Sequence, residues 1–154
     1  MDSKFILSAI RAKYPQAAIV HEVVIHDPLW TERALESRPT RRIDALMFES
    51  LERTAIEIKV TMADWKRDTY YKRAPWANVT NRFVYAVPKS LYLSFDGNFG
   101  IARLEVSDCG VWTVDEDGGV AVVKKANIRK HPEPLPQQVV QSLAYRASRV
   151  DSVA

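Results

Sequence analysis

Two short runs rich in apolar residues, separated by only four residues, constrain the fold of this chain more than any other feature. The first run is RIDALMF at residues 42–48, and the second is RTAIEIKV at residues 53–60. Both runs have the length and composition of β-strands, and residues 49–52 between them have a length that is common in hairpin loops. The sequence therefore predicts an antiparallel hairpin in which Phe48 pairs with Arg53.

The register of this hairpin brings three charged side chains together. Asp44 lies opposite Glu57, and directly opposed residues of a hairpin have Cβ atoms about 5 Å apart on one face. Lys59 shares that face with Glu57 because alternate residues of a strand point the same way, whereas Ile58 points into the core. The predicted strand end thus holds two carboxylates beside an ammonium group.

Two carboxylates held this close repel each other, so the pair predicts a compensating proton or cation. Carboxylate and main-chain carbonyl oxygens suit Mg²⁺ or Mn²⁺ rather than zinc. Such an ion can activate water and neutralise charge on a phosphoryl oxygen, while Lys59 orients the nucleophile or stabilises the transition state. The group indicates phosphodiester hydrolysis, and an ordinary salt bridge on a half-exposed sheet is the alternative.

The remaining patterns predict alternating helices and strands. Thr61 has the character of an N-cap for the helix after the hairpin, and Pro75 is expected to end that helix. Asp64 and Asp68 are interpreted as cap and helix-surface partners, and Trp65 as a core residue. Further helices are predicted at residues 3–14, with Ser3 as N-cap, and 135–150, and further strands at 18–27, 82–88, 99–107, 110–115 and 119–126.

The length of 154 residues is enough for one domain, spanning 1–154, and too short for two. No apolar run approaches the roughly 20 residues needed to cross a bilayer, and no targeting segment is recognised at the N-terminus. Cys109 is the single cysteine, so no intrachain disulfide can form, and it is interpreted as a packing residue. We therefore expect an α/β protein of the cytoplasm that does not enter a membrane.

Charge is segregated along the chain, although the net charge is only +3. Residues 61–90 carry six Lys or Arg against two Asp, and residues 121–131 carry four basic residues and no acidic ones. Residues 91–120 hold six acidic residues against one basic. This distribution suits a basic surface for a polyanion, or else reflects ordinary solvated faces.

The run from Glu57 to Asp68, EIKVTMADWKRD, is followed by the strand FVYAVP at residues 83–88. This sequence resembles the PD-(D/E)XK restriction-endonuclease-like nucleases, and especially their MmcB-type DNA repair branch. That branch tends to read E-[VI]-K-V-[ST]-x-x-D-[FW]-x-x-D and then a strand that closes in A-V-P. Gly100 and the segments VDEDGGV at 114–120 and VVKKA at 122–126 are similar to its distal part. The likeness covers about residues 40–126.

The resemblance implies a restriction-endonuclease-like α/β fold, with a central mixed sheet flanked by helices, a small C-terminal β-meander and a terminal helix. It also implies a metal-dependent deoxyribonuclease that acts in DNA repair, recombination or replication with Mg²⁺ or Mn²⁺. Asp44, Glu57 and the carbonyl of Ile58 would hold the metal, and Lys59 would be the catalytic lysine. Ile43 stands where the family name has Pro, which is a common variation.

Many members of the superfamily also have a Glu in the first helix, and residues 3–14 contain no acidic residue. Glu22 is the best substitute as a catalytic carboxylate. If its strand is antiparallel to the next, with Asp27 opposite Pro39, Glu22 lies opposite Asp44. A surface or pairing role for Glu22 remains equally open.

Four basic residues are predicted to contact nucleic-acid phosphates. They are Arg41, Arg42, Lys66 and Arg82. A catalytically inactive DNA-binding module of the same fold and an RNA-directed nuclease are the alternatives. One protomer with one site can nick one strand, so cutting both strands would need a pair, and a homodimer stays open.

Overall fold

A computed structural model describes residues 1–27, 40–68, 70–94 and 108–153 of the chain. The helices and strands of this described part form one α/β unit around a six-stranded sheet. In chain order they are α1 (Ser3–Lys13), β1 (Ala18–His26), β2 (Thr40–Glu49), β3 (Glu52–Ile58), α2 (Met62–Lys66), α3 (Tyr70–Asn78), β4 (Arg82–Pro88), α4 (Lys89–Leu93), β5 (Gly110–Val114), β6 (Val120–Lys124) and α5 (Gln137–Val153).

The strands lie in the sheet in the order in which they occur in the chain, from β1 to β6. Strands β1, β2 and β3 pair antiparallel, β4 and β5 continue parallel to β3, and β6 returns antiparallel to β5. The predicted central mixed sheet is therefore confirmed. The last two strands of the predicted meander are β5 and β6, which extend this sheet, while the strand predicted at 99–107 lies outside the described residues.

Both faces of the sheet are covered by helices. On one face Trp65 of α2, Trp76 of α3 and Val139 of α5 pack with Tyr85 of β4 in one apolar cluster. On the other face Ile6 and Ile10 of α1 pack in a second cluster, with buried side chains of β2 to β5. Trp65 is 2% exposed, so its predicted core position is confirmed. No helix of the described ranges is long and apolar enough to cross a membrane.

The hairpin has the predicted register but a shorter loop. Phe48 pairs with Arg53 as expected, and the pairing continues to Glu49 with Glu52. The turn is therefore Ser50 and Leu51 alone, with positive φ angles of 49° and 66°. A two-residue turn of this kind matches the twist of the flanking strands, and Asn and Gly are the residues that favour it. Because neither is present, the sequence did not signal so tight a turn.

Replacing Leu51 by Gly should stabilise the protein by about 1 kcal/mol, since a left-handed backbone costs an L-residue about that much. The Leu51 side chain is fully exposed and contributes no packing that the change would remove. Urea unfolding monitored by circular dichroism measures the difference. Leu51→Ala is the control, because it removes the apolar surface and keeps the Cβ. Equal stabilities of Leu51→Gly and Leu51→Ala would show that the turn carries no strain.

The prediction of one helix that ends at Pro75 is wrong, because two helices occupy this segment. Helix α2 ends at Lys66, and α3 begins at Tyr70 and continues through Pro75. Beyond the proline, the indole of Trp76 is 1% exposed and its Nε1 donates to the carbonyl of Arg41 at 3.0 Å. These contacts hold the second half of α3 although the proline lacks an amide donor. Thr61 caps α2 as predicted, whereas Asp2 rather than Ser3 caps α1.

Candidate active site

Strands β2 and β3 end their described pairing at Ala45 with Ile56, as the predicted register requires. Continuing that register by one residue brings Asp44 across from Glu57. The carboxylate of Asp44 accepts a hydrogen bond from the main-chain N–H of Ile58 at 2.8 Å. Asp44 is thereby tied to the end of β3 by its side chain.

Glu57 and Lys59 lie on one face, as their spacing predicts, and they are in direct contact. The ammonium Nζ of Lys59 is 2.9 Å from Oε1 of Glu57. Their side chains are 19% and 12% exposed, respectively. The pair is thus largely removed from water, where a Coulomb interaction is stronger than on the surface.

The carboxylates are destabilised in their charged form. Burial raises the pKa of Glu57 to about 7, and repulsion from Asp44 adds to this, while Lys59 opposes it. Burial likewise raises the pKa of Asp44 despite the hydrogen bond from Ile58. Burial by itself would lower the pKa of Lys59, but Glu57, Asp68 and Asp44 outweigh it, so that pKa is raised and the amine stays charged. The site therefore has too little positive charge for its carboxylates.

Asp68, which we interpreted as a helix-surface residue, is instead buried beside this group. Its side chain is 8% exposed, and its carboxylate lies 4.0 Å from Nζ of Lys59 and 3.6 Å from the guanidinium of Arg73. The hydroxyl of Tyr85 donates to the same carboxylate and accepts from Arg73 at 3.3 Å. The chain leaves the helical path between α2 and α3, where Asp68 turns inward. In the sequence, only the run EIKVTMADWKRD, which resembles the nuclease pattern and ends in Asp68, indicates a special role for this residue.

The predicted shared face does not include Asp44, because its side chain opens on a different cavity from those of Glu57, Lys59 and Asp68. Glu57, Lys59 and Asp68 line a cleft of about 230 Å³ against α3. Asp44 and Ile58 line a separate groove of about 400 Å³ along α1. Among the residues that the structure describes, no group of three or more acidic, His or Cys side chains is close enough to hold a metal ion.

Glu22 has the predicted register, but its side chain pairs with Arg42 at the surface. His21 pairs with Ala45 and Val23 with Ile43, so Glu22 falls between them across from Asp44. Its φ of 52° is unusual for a residue within β1, and its side chain is 60% exposed and 3.7 Å from Arg42. Its charge still raises the pKa of Asp44, as the smallest of several influences. The predicted pair of Asp27 with Pro39 lies outside the described residues.

Two of the four predicted phosphate contacts line the cleft. Arg41 lies there with an ion pair to Asp27 at 3.4 Å, and Arg42 lies beside it with 60% of its side chain exposed. Lys72 of α3 also lines this cleft and was not predicted. Arg41, Arg42 and Lys72 thus lie in the same cleft as Glu57 and Lys59.

The other two predicted contacts are elsewhere. Lys66 is exposed on α2, outside the described residues that line the cleft. Arg82 begins β4 and binds the carboxylate of Glu52. Because β4 runs parallel to β3, Arg82 lies beside Thr54, three residues before the pair of Glu57 with Tyr85. That separation is about 10 Å along the strand, so Arg82 belongs to the opposite end of the sheet.

Comparison with known proteins places the fold but gives no function. No protein-family profile matches the sequence, and no curated protein matches it. The chain is similar to the SPO1766 protein of unknown function from Silicibacter pomeroyi, with 18% sequence identity, a TM-score of 0.58, and coverage of 92% of this chain and 82% of that one. A protein of unknown function, AF1548, is 12% identical with a TM-score of 0.40, covering 63% and 53% of the two chains. The first likeness supports the fold alone.

The donor types of this site are those that a hard divalent cation takes, although Asp44 and Glu57 open on different cavities. Asp44 and Glu57 supply two carboxylates, and Ile58 between Glu57 and Lys59 supplies a main-chain carbonyl. Mg²⁺ in proteins is often held by one or two carboxylates with water completing its shell, so two acidic side chains are enough. Burial and mutual repulsion raise the pKa of Glu57, and a cation would relieve that repulsion.

Proposed function

We propose that this protein is a divalent-metal-dependent deoxyribonuclease that hydrolyses DNA phosphodiester bonds. The observation that carries the proposal is the buried contact of Glu57 with Lys59, next to the carboxylate of Asp44, at the end of two paired strands. The sequence resemblance to the PD-(D/E)XK nucleases, whose motif falls on these residues, supports the same conclusion.

Asp44, Glu57 and the carbonyl of Ile58 would hold Mg²⁺ or Mn²⁺. When bound, the ion would activate water and neutralise charge on a phosphoryl oxygen. Lys59 keeps its proton and lies 2.9 Å from Glu57, so its charge is available to stabilise the anionic transition state.

The basic residues of the cleft would bind the substrate backbone. Arg41, Arg42 and Lys72 present guanidinium and ammonium groups that bind phosphate oxygens. Their contacts are to the backbone, so this part of the site does not select a base sequence. We infer that the protein acts on DNA in the cytoplasm, in repair, recombination or replication, and that double-strand cleavage would require two protomers.

A DNA-binding module without catalysis is the second candidate. The observation that favours it is the separation of the openings, with Asp44 on the groove along α1 and Glu57 in the cleft along α3. Such a module would bind DNA in a salt-dependent manner in the presence of EDTA, and Glu57→Ala would not weaken that binding. It would show no hydrolysis in any metal.

Calorimetric titration with Mn²⁺ tests the metal site directly. We expect saturable binding to the wild-type protein and its loss in Glu57→Ala, because one of two carboxylate ligands is removed. Glu49→Ala is the matched control, since Glu49 is an exposed carboxylate at the far end of the same hairpin. Equal Mn²⁺ binding by wild type and Glu57→Ala, or no binding by either, would refute the metal proposal.

A further inference from the structure

We infer that the groove along α1 is a second binding surface for the nucleic-acid backbone, and that the substrate strand runs through it from the cleft along α3. This inference rests on the proposed function and names residues that it does not include. The groove has a volume of about 400 Å³ and is lined on one side by Lys4, Ser8 and Arg11 of α1. On the other side it is lined by Asp44 and Ile58.

The position of Asp44 provides the first argument. Two of the three proposed metal donors, Asp44 and Ile58, open on the groove, whereas Glu57 and Lys59 open on the cleft. Asp44 is nevertheless close to Glu57, because its carboxylate accepts the hydrogen bond from the main-chain N–H of Ile58, the residue after Glu57, at 2.8 Å. A phosphate that meets both carboxylates through a cation would lie at this strand end, where neighbouring residues of the chain line the two cavities. The nucleotides on either side of it then extend into different cavities.

The charge of α1 provides the second argument. Helix α1 contains three basic residues and no acidic one, and Lys4 and Arg11 are exposed and line the groove. They are seven residues apart, so they lie two turns apart on one face, about 10 Å along the helix axis. Ser3 and Ser8 add hydroxyl donors on the same wall. Such a row of cations and hydroxyls complements a phosphate backbone.

Two acidic side chains, Glu22 and Asp44, line the groove opposite Lys4 and Arg11, and each has another partner. Glu22 lines the groove, but its carboxylate lies 3.7 Å from the guanidinium of Arg42 and is shared with it. Asp44, the other acidic side chain in the lining, accepts the hydrogen bond from Ile58. Within the described ranges Lys4 and Arg11 have no ion-pair partner, so they add two cations to those that Arg41 and Lys72 present in the cleft.

The test is DNA binding by the double variant Lys4→Ala, Arg11→Ala. Fluorescence anisotropy with a labelled single-stranded oligonucleotide is measured in EDTA, so that hydrolysis does not interfere, at several salt concentrations. Loss of two phosphate contacts should lower the slope of log affinity against log salt by about 1.4, since each contact to a single strand contributes about 0.7. Lys13→Ala, Lys89→Ala removes the same charge at exposed positions outside the groove and should keep the wild-type slope.

A wild-type slope in the groove variant, or an equal decrease in both double variants, would overturn the inference. Lys4→Gln, Arg11→Gln, which retains long polar side chains on α1, should reproduce the alanine result if charge is responsible. The failure of the proposed function has a different signature. If DNA binding depends on Lys4 and Arg11 but no hydrolysis occurs in Mg²⁺ or Mn²⁺, the groove assignment stands and the nuclease proposal fails.

Discussion

Replacing Asp44 by Asn is expected to lower the rate of DNA hydrolysis in Mg²⁺ or Mn²⁺ by more than about 100-fold, the upper range for loss of an outer-shell partner. The reason is that Asn keeps the shape and the hydrogen-bond acceptor for Ile58 but removes the negative charge that a divalent cation needs. Glu57→Gln should have an effect of the same size. Cleavage of single-stranded, duplex, flap and junction DNA, each with both metals, measures the loss and identifies the preferred substrate.

The matched control is Glu116→Gln, which makes the same change of charge on an exposed residue of the β5–β6 turn. It should cleave at the wild-type rate. Wild-type activity in Asp44→Asn or Glu57→Gln would remove the mechanism, because each change removes the charge of one of the two carboxylates that would hold the metal. Competition between matched DNA and RNA then separates a deoxyribonuclease from an RNA-directed enzyme, because contacts to phosphates alone do not distinguish the two.

The contact of Glu57 with Lys59 and the register of the hairpin could be predicted because both depend on local rules, whereas Asp44 does not open on the cavity of Glu57 as the shared face predicted. A hairpin fixes its register within a few residues, and alternation then decides which side chains share a face. The two-residue turn did not disturb the prediction, because adding the pair of Glu49 with Glu52 leaves the register of every earlier pair unchanged. The contact of Lys59 with Glu57 follows from their spacing alone.

The position of Arg82 could not be predicted in the same way, because it depends on the direction of a strand that is distant in sequence. From the sequence, Arg82 is predicted to contact phosphates at the proposed site. In the parallel pairing of β3 with β4, however, the start of β4 lies beside the start of β3 and away from Glu57. Pattern and composition of a strand do not specify which way it runs.

Asp68 shows a second limit, since its burial depends on partners that only the folded chain supplies. Helical periodicity places Asp68 on the surface of one long helix, yet the helix breaks there and the carboxylate meets Tyr85 and Arg73. Burial raises the pKa of Tyr85, so its hydroxyl keeps the proton that it donates to Asp68. Asp68 in turn contributes to the raised pKa of Lys59. Asp68 thus adds to the effect of Glu57 in keeping Lys59 charged.

Removing the guanidinium of Arg73 from this network should strongly destabilise the protein. Arg73→Met is expected to lower the free energy of unfolding by about 3–5 kcal/mol, because it leaves a buried carboxylate without its partner. The side chains of Arg73 and Asp68 are 5% and 8% exposed, so water cannot replace the lost contact. The ammonium of Lys59 lies 4.0 Å from the Asp68 carboxylate, but it is already paired with Glu57 at 2.9 Å. Lys59 therefore compensates only in part for the charge of Asp68.

Unfolding of Arg73→Met and Lys72→Met in guanidinium chloride measures the two free energies. Lys72 is the adjacent residue on α3 and is exposed, so its change should be within about 0.5 kcal/mol of wild type. Adding Asp68→Asn to Arg73→Met should recover part of the loss, because it removes the unpaired charge. The network does not stabilise the site if the free energies of unfolding of Arg73→Met and Lys72→Met differ by less than about 1 kcal/mol. A difference of that size is the contribution of a single exposed ion pair.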